Sequence, residues 1–158
     1  MATGVNGVRL STDRYYRAMS TELETIFEPR GELTDEIEDG LTRFNMAKLG
    51  GWECHHIAVS AHKDGQLVGG VSGTAQWDWL QVELLWVEAS EQRRGVGSQL
   101  LTAIGRAAAS KGFPNAYVTT GSWQALGFYQ KHGYDVFGQL EDFPKGHTTY
   151  FLKKLGSA

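Results

Sequence analysis

This chain of 158 residues is poor in several things, and each shortage removes a class of answer. It has a single cysteine, Cys54, which has no partner within the chain, so no disulfide framework shapes the fold. No apolar segment reaches the length that a bilayer core demands. Basic charge is not in excess: 15 Lys and Arg stand against 18 Asp and Glu, for a formal net charge of −3 and a pI near 5.9. Nucleic-acid binders usually carry a basic face, so no nucleic-acid partner is expected. The start, Met1–Gly7, is small and uncharged and does not read as a secretory leader. The expectation is a cytoplasmic protein without membrane association.

Chemical signatures are missing as well. His55, His56, His62, His132 and His147 lack metal-ligand spacing with Cys54 or with one another, since adjacent residues on a strand face opposite ways. No metal site is expected. Neither a G-x-S-x-G elbow nor a Cys/His nucleophile pattern is present, so group transfer through an acyl-enzyme is not expected.

Hydrophobic content of 41% and charged content of 21% are ordinary for a globular chain, which is long enough to bury its own core. Residues 21–158 read as one domain, preceded by an extension, 1–20, that reads as disordered apart from a short helix at Ser11–Ser20. The stretch around which the rest is arranged is Val82–Leu101, VELLWVEASEQRRGVGSQLL. An apolar run, Val82–Val87, predicts a buried strand with one charge, Glu83, inside it. Beyond the polar turn at Glu88–Glu91 comes Gln92-Arg93-Arg94-Gly95-Val96-Gly97. Leu100, Leu101, Ile104 and Ala107–Ala108 then fall at helical spacing, as far as Lys111-Gly112. A strand feeding a glycine turn that opens a helix lets backbone N–H groups converge on an anion at the positive end of the helix. A P-loop would need Lys followed by Ser or Thr, which is absent here. A dinucleotide fingerprint would need a small residue at Leu100 and an acidic residue in a following strand.

What matches is Q/R-x-x-G-x-G/A after a strand, met by Gln92-x-x-Gly95-x-Gly97, followed by Ala125-x-x-Phe128-Tyr129-x-x-x-Gly133-Tyr134 about 30 residues on. Together these blocks resemble the acyl-CoA signatures of the GNAT N-acetyltransferases, and the likeness is firm from Val82 to Tyr134. The resemblance implies an α/β fold with a mixed, largely antiparallel central sheet flanked by helices, the acyl-CoA N-acyltransferase fold. The strands on either side of the glycine loop splay apart in that fold, and the pantetheine arm lies in the gap much as an added strand would. Acetyl-CoA is then the implied co-substrate and a small-molecule primary amine the implied acceptor. Family habit leaves a homodimer open.

In order along the chain, Glu22–Glu28 alternates as an amphipathic strand does. Thr34 is read as the N-cap of a helix carrying Ile37, Leu41, Phe44 and Leu49, with Gly50-Gly51 as its stop. The segment Thr21–Gly40 holds eight acids against one base, either a solvated face or a wall that attracts a cationic amine. His56–Ala61 and Gln66–Thr74 form a hairpin around Lys63-Asp64-Gly65. Gln76–Leu80 is read as running straight into the central strand, which puts Trp77 and Trp79 on one face, as core or as an aromatic wall for the acceptor. Asn115–Thr120 is a strand and Trp123–His132 a helix; Tyr134–Leu140 and Thr148–Leu155 are two final strands.

Acetylating an amine requires its proton to be removed, its pKa being about 10.4 if it resembles Lys. The carbonyl oxygen needs a donor as it gains charge, and the departing thiolate benefits from a proton. Glu83 is the candidate base and, with Trp79, a candidate acceptor contact; a carboxylate buried in an apolar strand would be paired or functional. Histone-type relatives carry the base Glu six positions before the residue matching Val87. Here that position is Gln81, and Glu83 lies two residues on, facing the same way. Direct abstraction, a water relay and acceptance of a neutral amine all stay open. The resemblance gives Val87 a backbone role at the carbonyl oxygen and Tyr129 the proton for the thiolate. It gives cofactor contacts to Trp86, Val87, Gln92, Arg93, Arg94, Gly95, Val96, Gly97, Ser98 and Tyr129, and to Ser122 where relatives often have Asn. The rival readings are a CoA-binding module without catalysis, and acyl transfer from a longer acyl-CoA or to a protein amine.

Overall fold

The computed structural model describes residues 22–29 and 31–156. The extension at 1–20, with its short helix, lies outside the described residues. The chain divides between Phe44 and Asn45 into two compact units.

In the first unit, the strand expected at Glu22–Glu28 does not form. Residues 22–29 are irregular, and Leu23 and Phe27 are 93% and 89% exposed. Alternation supplies two faces, but a strand also needs a neighbour to bond to, and this segment belongs to no sheet. Glu28, at φ 54°, turns the backbone out of the extended region. Helix α1 spans Gly31–Leu49, so it begins before Thr34. The Thr34 hydroxyl donates back to the Gly31 carbonyl at 2.7 Å and is an interior residue of the helix, not its cap. The stop is as read: Gly50, at φ 76°, donates its N–H to the Met46 carbonyl.

The second unit is built on six strands, β1 (Cys54–Lys63), β2 (Gln66–Gln76), β3 (Trp79–Val87), β4 (Asn115–Gly121), β5 (Asp135–Glu141) and β6 (Thr148–Lys154). They form one sheet in the order β1-β2-β3-β4-β6-β5, antiparallel throughout except for β3 against β4. Helix α2 (Val96–Ala109) joins the two parallel strands and α3 (Leu126–Lys131) follows β4. This is the mixed, largely antiparallel sheet flanked by helices that the motifs imply. The apolar stripe of α2, Leu100, Leu101, Ile104 and Ala108, is buried in one core with Val71, Ala75, Leu80, Val82, Val118 and Leu152. Leu80, Ile104 and Leu152 are sealed, each worth about 1.5–3 kcal/mol of burial. Among the described residues, no helix is long and apolar enough to cross a membrane.

Two irregularities correct the reading of the central strand. Gln76–Leu80 is not continuous: Trp77 and Asp78, at φ 50° and 67°, form a two-residue hairpin turn between β2 and β3. Trp77 and Trp79 therefore do not share a strand face, since a turn stands between them. Second, β3 bulges. Val82 pairs with Gly73 and Leu84 with Ser72, leaving Glu83 as the extra residue. Gly73 is needed opposite it, because a Cβ there would run into the Gln81 carbonyl.

The bulge coincides with a parting of the sheet. β3 and β4 pair only from Trp79/Asn115 to Val82/Val118, after which β4 continues against β6 alone. From Glu83 to Val87 the side of β3 facing β4 is open.

Candidate active site

A cleft of about 870 Å³ occupies that parting. Leu85 and Val87 of β3 and Gln92, Arg93, Gly95, Gly97 and Ser98 of the loop and α2 make one wall. Trp123 to Ala125, Gly127, Phe128 and Lys131, from the end of β4 into α3, make the other. Its size suits a cofactor-sized ligand.

The loop wall has the geometry that an anion site requires. Arg93 and Gly95 are both left-handed, at φ 60° and 86°, and Gly95 caps α2 without a side chain to satisfy it. The first N–H groups of a helix have no intrahelical acceptor, so those of Val96, Gly97 and Ser98 are available at its positive end. Gln92 Nε2 donates to the Val87 carbonyl at 3.0 Å and fastens the loop to the end of β3. Adjacent strand residues send their backbone groups to opposite sides. Because the Glu88 N–H bonds the Val68 carbonyl on β2, the N–H of Val87 faces the opening.

The expected cofactor residues divide. Val87, Gln92, Arg93, Gly95, Gly97 and Ser98 line the cleft; Trp86, Arg94, Val96, Ser122 and Tyr129 do not. Trp86 alternates to the opposite face of β3, beside Leu84, Ala58 and Ser72. Arg94 approaches Glu91 at 3.8 Å, and Val96 packs against the core. Glu91 is also met by Lys63 at 2.6 Å, and that hydrogen bond first, then the charges of Lys63 and Arg94, holds its carboxyl below the ordinary value. Ser122 Oγ is occupied by the β5–β6 connection, accepting from Thr148 N–H at 3.3 Å and lying 3.4 Å from His147 Nδ1. Tyr129 has its ring in the core, edge-on to Phe128 and Tyr134. Burial pushes its phenol above 10, favouring the protonated form. Its hydroxyl makes no hydrogen bond within the described chain. No buried side-chain polar atom among the described residues lacks a partner, so that hydroxyl reaches accessible space.

Glu83 is exposed, not buried: alternation with buried Val82 already points it away from the core, and the bulge turns Leu84 out as well. It shares a face with Gln81, as read from the spacing. Thr74 and Tyr117 are the ladder partners of Gln81 on either side. The Thr74 hydroxyl donates to Glu83 Oε1 at 2.8 Å, and Tyr117 OH donates to Gln81 Oε1 at 2.7 Å. A threonine has one hydroxyl proton, so at its 3.1 Å contact with His56 Nδ1 Thr74 must accept. His56 therefore carries its proton on Nδ1, and the chain His56–Thr74–Glu83 fixes the carboxylate. Burial, and then the charge of Glu83, raises Tyr117 above its ordinary value.

Sequence reasoning missed Trp123, Gln124, Phe128 and Lys131 in the cleft and His56, Thr74 and Tyr117 around Glu83. Lys131 stood two places after Tyr129 in a recognised block; the other three come together only through strand register.

Residues 16–134 match the model of the Acetyltransferase (GNAT) family. A blasticidin-S acetyltransferase of Streptomyces morookaense is 43% identical over 91 residues, 57% of this chain and 67% of that one. The crystal structure of an acetyltransferase from Bacillus cereus superposes with a TM-score of 0.77 at 32% identity, covering 84% of this chain and 97% of that one. One from Agrobacterium tumefaciens gives 0.79 at 25% identity, with 85% and 99% covered. With the glycine loop, the parted strands and these likenesses in agreement, this chain belongs to the GNAT acetyltransferase family and is an N-acetyltransferase.

Proposed function

We propose that the enzyme transfers an acetyl group from acetyl-CoA directly to the primary amine of a small molecule. The observation that carries this reading is the cleft whose two walls are the ends of the parted strands β3 and β4, with an uncapped helix N-terminus in one wall. The residues fit the group: Arg93 and the first N–H groups of α2 would hold its phosphates, and Lys131 adds a cation opposite. Bound there, acetyl-CoA supplies an activated thioester carbonyl.

The chain's own groups do the rest. The Val87 N–H, facing the opening, donates to the oxygen that gains charge. Glu83, held by Thr74, accepts the ammonium proton, directly or through water. Tyr129 does not line the cleft but follows Phe128, which does; its phenol, kept protonated by burial, is the proton source this reading gives the leaving sulfur. A small-molecule acceptor is supported by the relative that acts on blasticidin S.

The test is turnover of acetyl-CoA and longer acyl-CoAs against a panel of small amines and peptide N-termini, beside calorimetric titration with CoA. Acetyl transfer to a small amine is the expected result. Tight CoA binding with no turnover of any pair would replace this reading with a CoA-binding module. Preference for a longer acyl chain or for peptides would change the substrate class.

A further inference from the structure

At the hairpin end of the sheet lies a smaller hollow of about 130 Å³, lined by Thr74, Gln76, Trp77, Trp79 and Tyr117. Three of these walls are aromatic. Trp79 meets Tyr117 edge-on with centroids 6.3 Å apart, and Trp77 leans on Trp52 at 5.3 Å. Trp77 is held in a left-handed turn where Gly or Asn is usual, so the backbone bears a conformational cost to present an indole there.

A carboxylate stands next to the hollow. Glu83 is hydrogen-bonded to Thr74, one of its walls, and has no salt-bridge partner among the described residues. Lys153, the ladder partner of Tyr117, directs its ammonium over the Phe137 ring at 5.8 Å. Aromatic walls beside a carboxylate with no resident cation are the chemistry that recognises an alkylammonium or guanidinium. At about 30 Å³ per water, the space holds a head group and not a whole substrate.

We propose that this hollow is a cation subsite for the acceptor: it takes a second ammonium or a guanidinium, so preferred substrates carry a positive group besides the amine that is acetylated. The identity of the occupant rests on the acetyl-transfer reading above; the affinity for a cation does not.

Two measurements separate these. First, tetramethylammonium chloride, which cannot react, is titrated against sodium chloride of equal strength while the indole N–H signals of Trp77 and Trp79 are followed by NMR. Saturable shifts in the wild type, lost in Trp77→Leu, are expected. Second, kcat/KM is compared for putrescine and butylamine, which differ by one ammonium. The putrescine-to-butylamine ratio should fall about tenfold in Trp77→Leu and in Trp79→Leu. Trp77 sits at an exposed turn, so its variant stays informative if Trp79→Leu does not fold. Absence of a saturable shift, or an unchanged ratio in a folded variant, overturns the subsite. Saturable shifts in an enzyme that acetylates no amine keep the cation site and overturn the acceptor reading.

Discussion

Gln92 Nε2 reaches the Val87 carbonyl at 3.0 Å, joining the start of the glycine loop to the last residue of β3. The bond aligns the two features that the proposed reading turns toward one ligand, the N–H groups opening α2 and the unpaired edge of β3. Gln92→Ala should weaken CoA binding by about 0.5–1.5 kcal/mol, the usual net worth of such a bond. Gln92→Glu should be worse, since a carboxylate donates nothing to the carbonyl and repels phosphate. Calorimetry on both variants decides; wild-type affinity in Gln92→Ala would remove the clasp from the account.

The two glycines of the loop should fail differently. Gly95 holds φ 86°, so Gly95→Ala should cost about 1–2 kcal/mol of stability and disturb the anion site as well. A Cβ on Gly97 would lie 3.6 Å from the Phe128 ring, an ordinary contact. Gly97→Ala should thus leave Tm unchanged or higher. Gly97→Val, which projects a branched side chain into the cleft, should lose CoA binding while staying folded. Thermal unfolding beside CoA titration reads both patterns.

Most of the second unit was legible because its signals are local. Asp64-Gly65 announced the first hairpin, and the spacing of Leu100, Leu101, Ile104 and Ala108 announced α2. Errors arose where tertiary pairing decides. Trp77-Asp78 has no glycine, so nothing in the sequence marked it as a turn. The exposure of Leu84 depends on a bulge opposite Gly73, which reads as any other strand glycine. The row from His56 through Thr74 and Gln81 to Tyr117 is assembled from four strands. Glu22–Glu28 had a strand's alternation but pairs with no strand among the described residues.

Tyr134 gives the fold an alkaline limit. Burial first, and then the neighbouring Tyr129, pushes its phenol up to about 12 from an unfolded value near 10. Above about pH 10 the unfolded chain releases a proton that the folded chain keeps, so stability falls with rising pH until about pH 12. Below that window the contribution is complete. Wild type should lose roughly 2 kcal/mol more than Tyr134→Phe across it, seen as a steeper fall in urea midpoint.

Tyr129→Phe removes only a hydroxyl that bonds to nothing in the described chain, so fold and CoA affinity should hold. If that hydroxyl protonates the leaving sulfur, kcat should drop roughly 10²–10⁴-fold. Provided chemistry limits turnover, which single-turnover kinetics can establish, an unchanged kcat would leave Tyr129 as a core residue.

Glu83→Gln tests the base most cleanly, because the amide oxygen can still accept from Thr74 and the side chain keeps its anchor. What disappears is the capacity to take a proton. For an acceptor with a Lys-like pKa of about 10.4, kcat/KM at neutral pH should fall roughly 10²–10³-fold. For an acceptor whose amine has a pKa of about 7.7–8, roughly a tenth arrives neutral at pH 7, far more than for the Lys-like amine, and the loss should shrink. Thr74→Val supplies the complementary case: the carboxylate remains but its link to His56 is cut, so a milder and equal loss for both amines should follow. If Glu83→Gln loses the same factor with both acceptors, Glu83 positions the amine without deprotonating it.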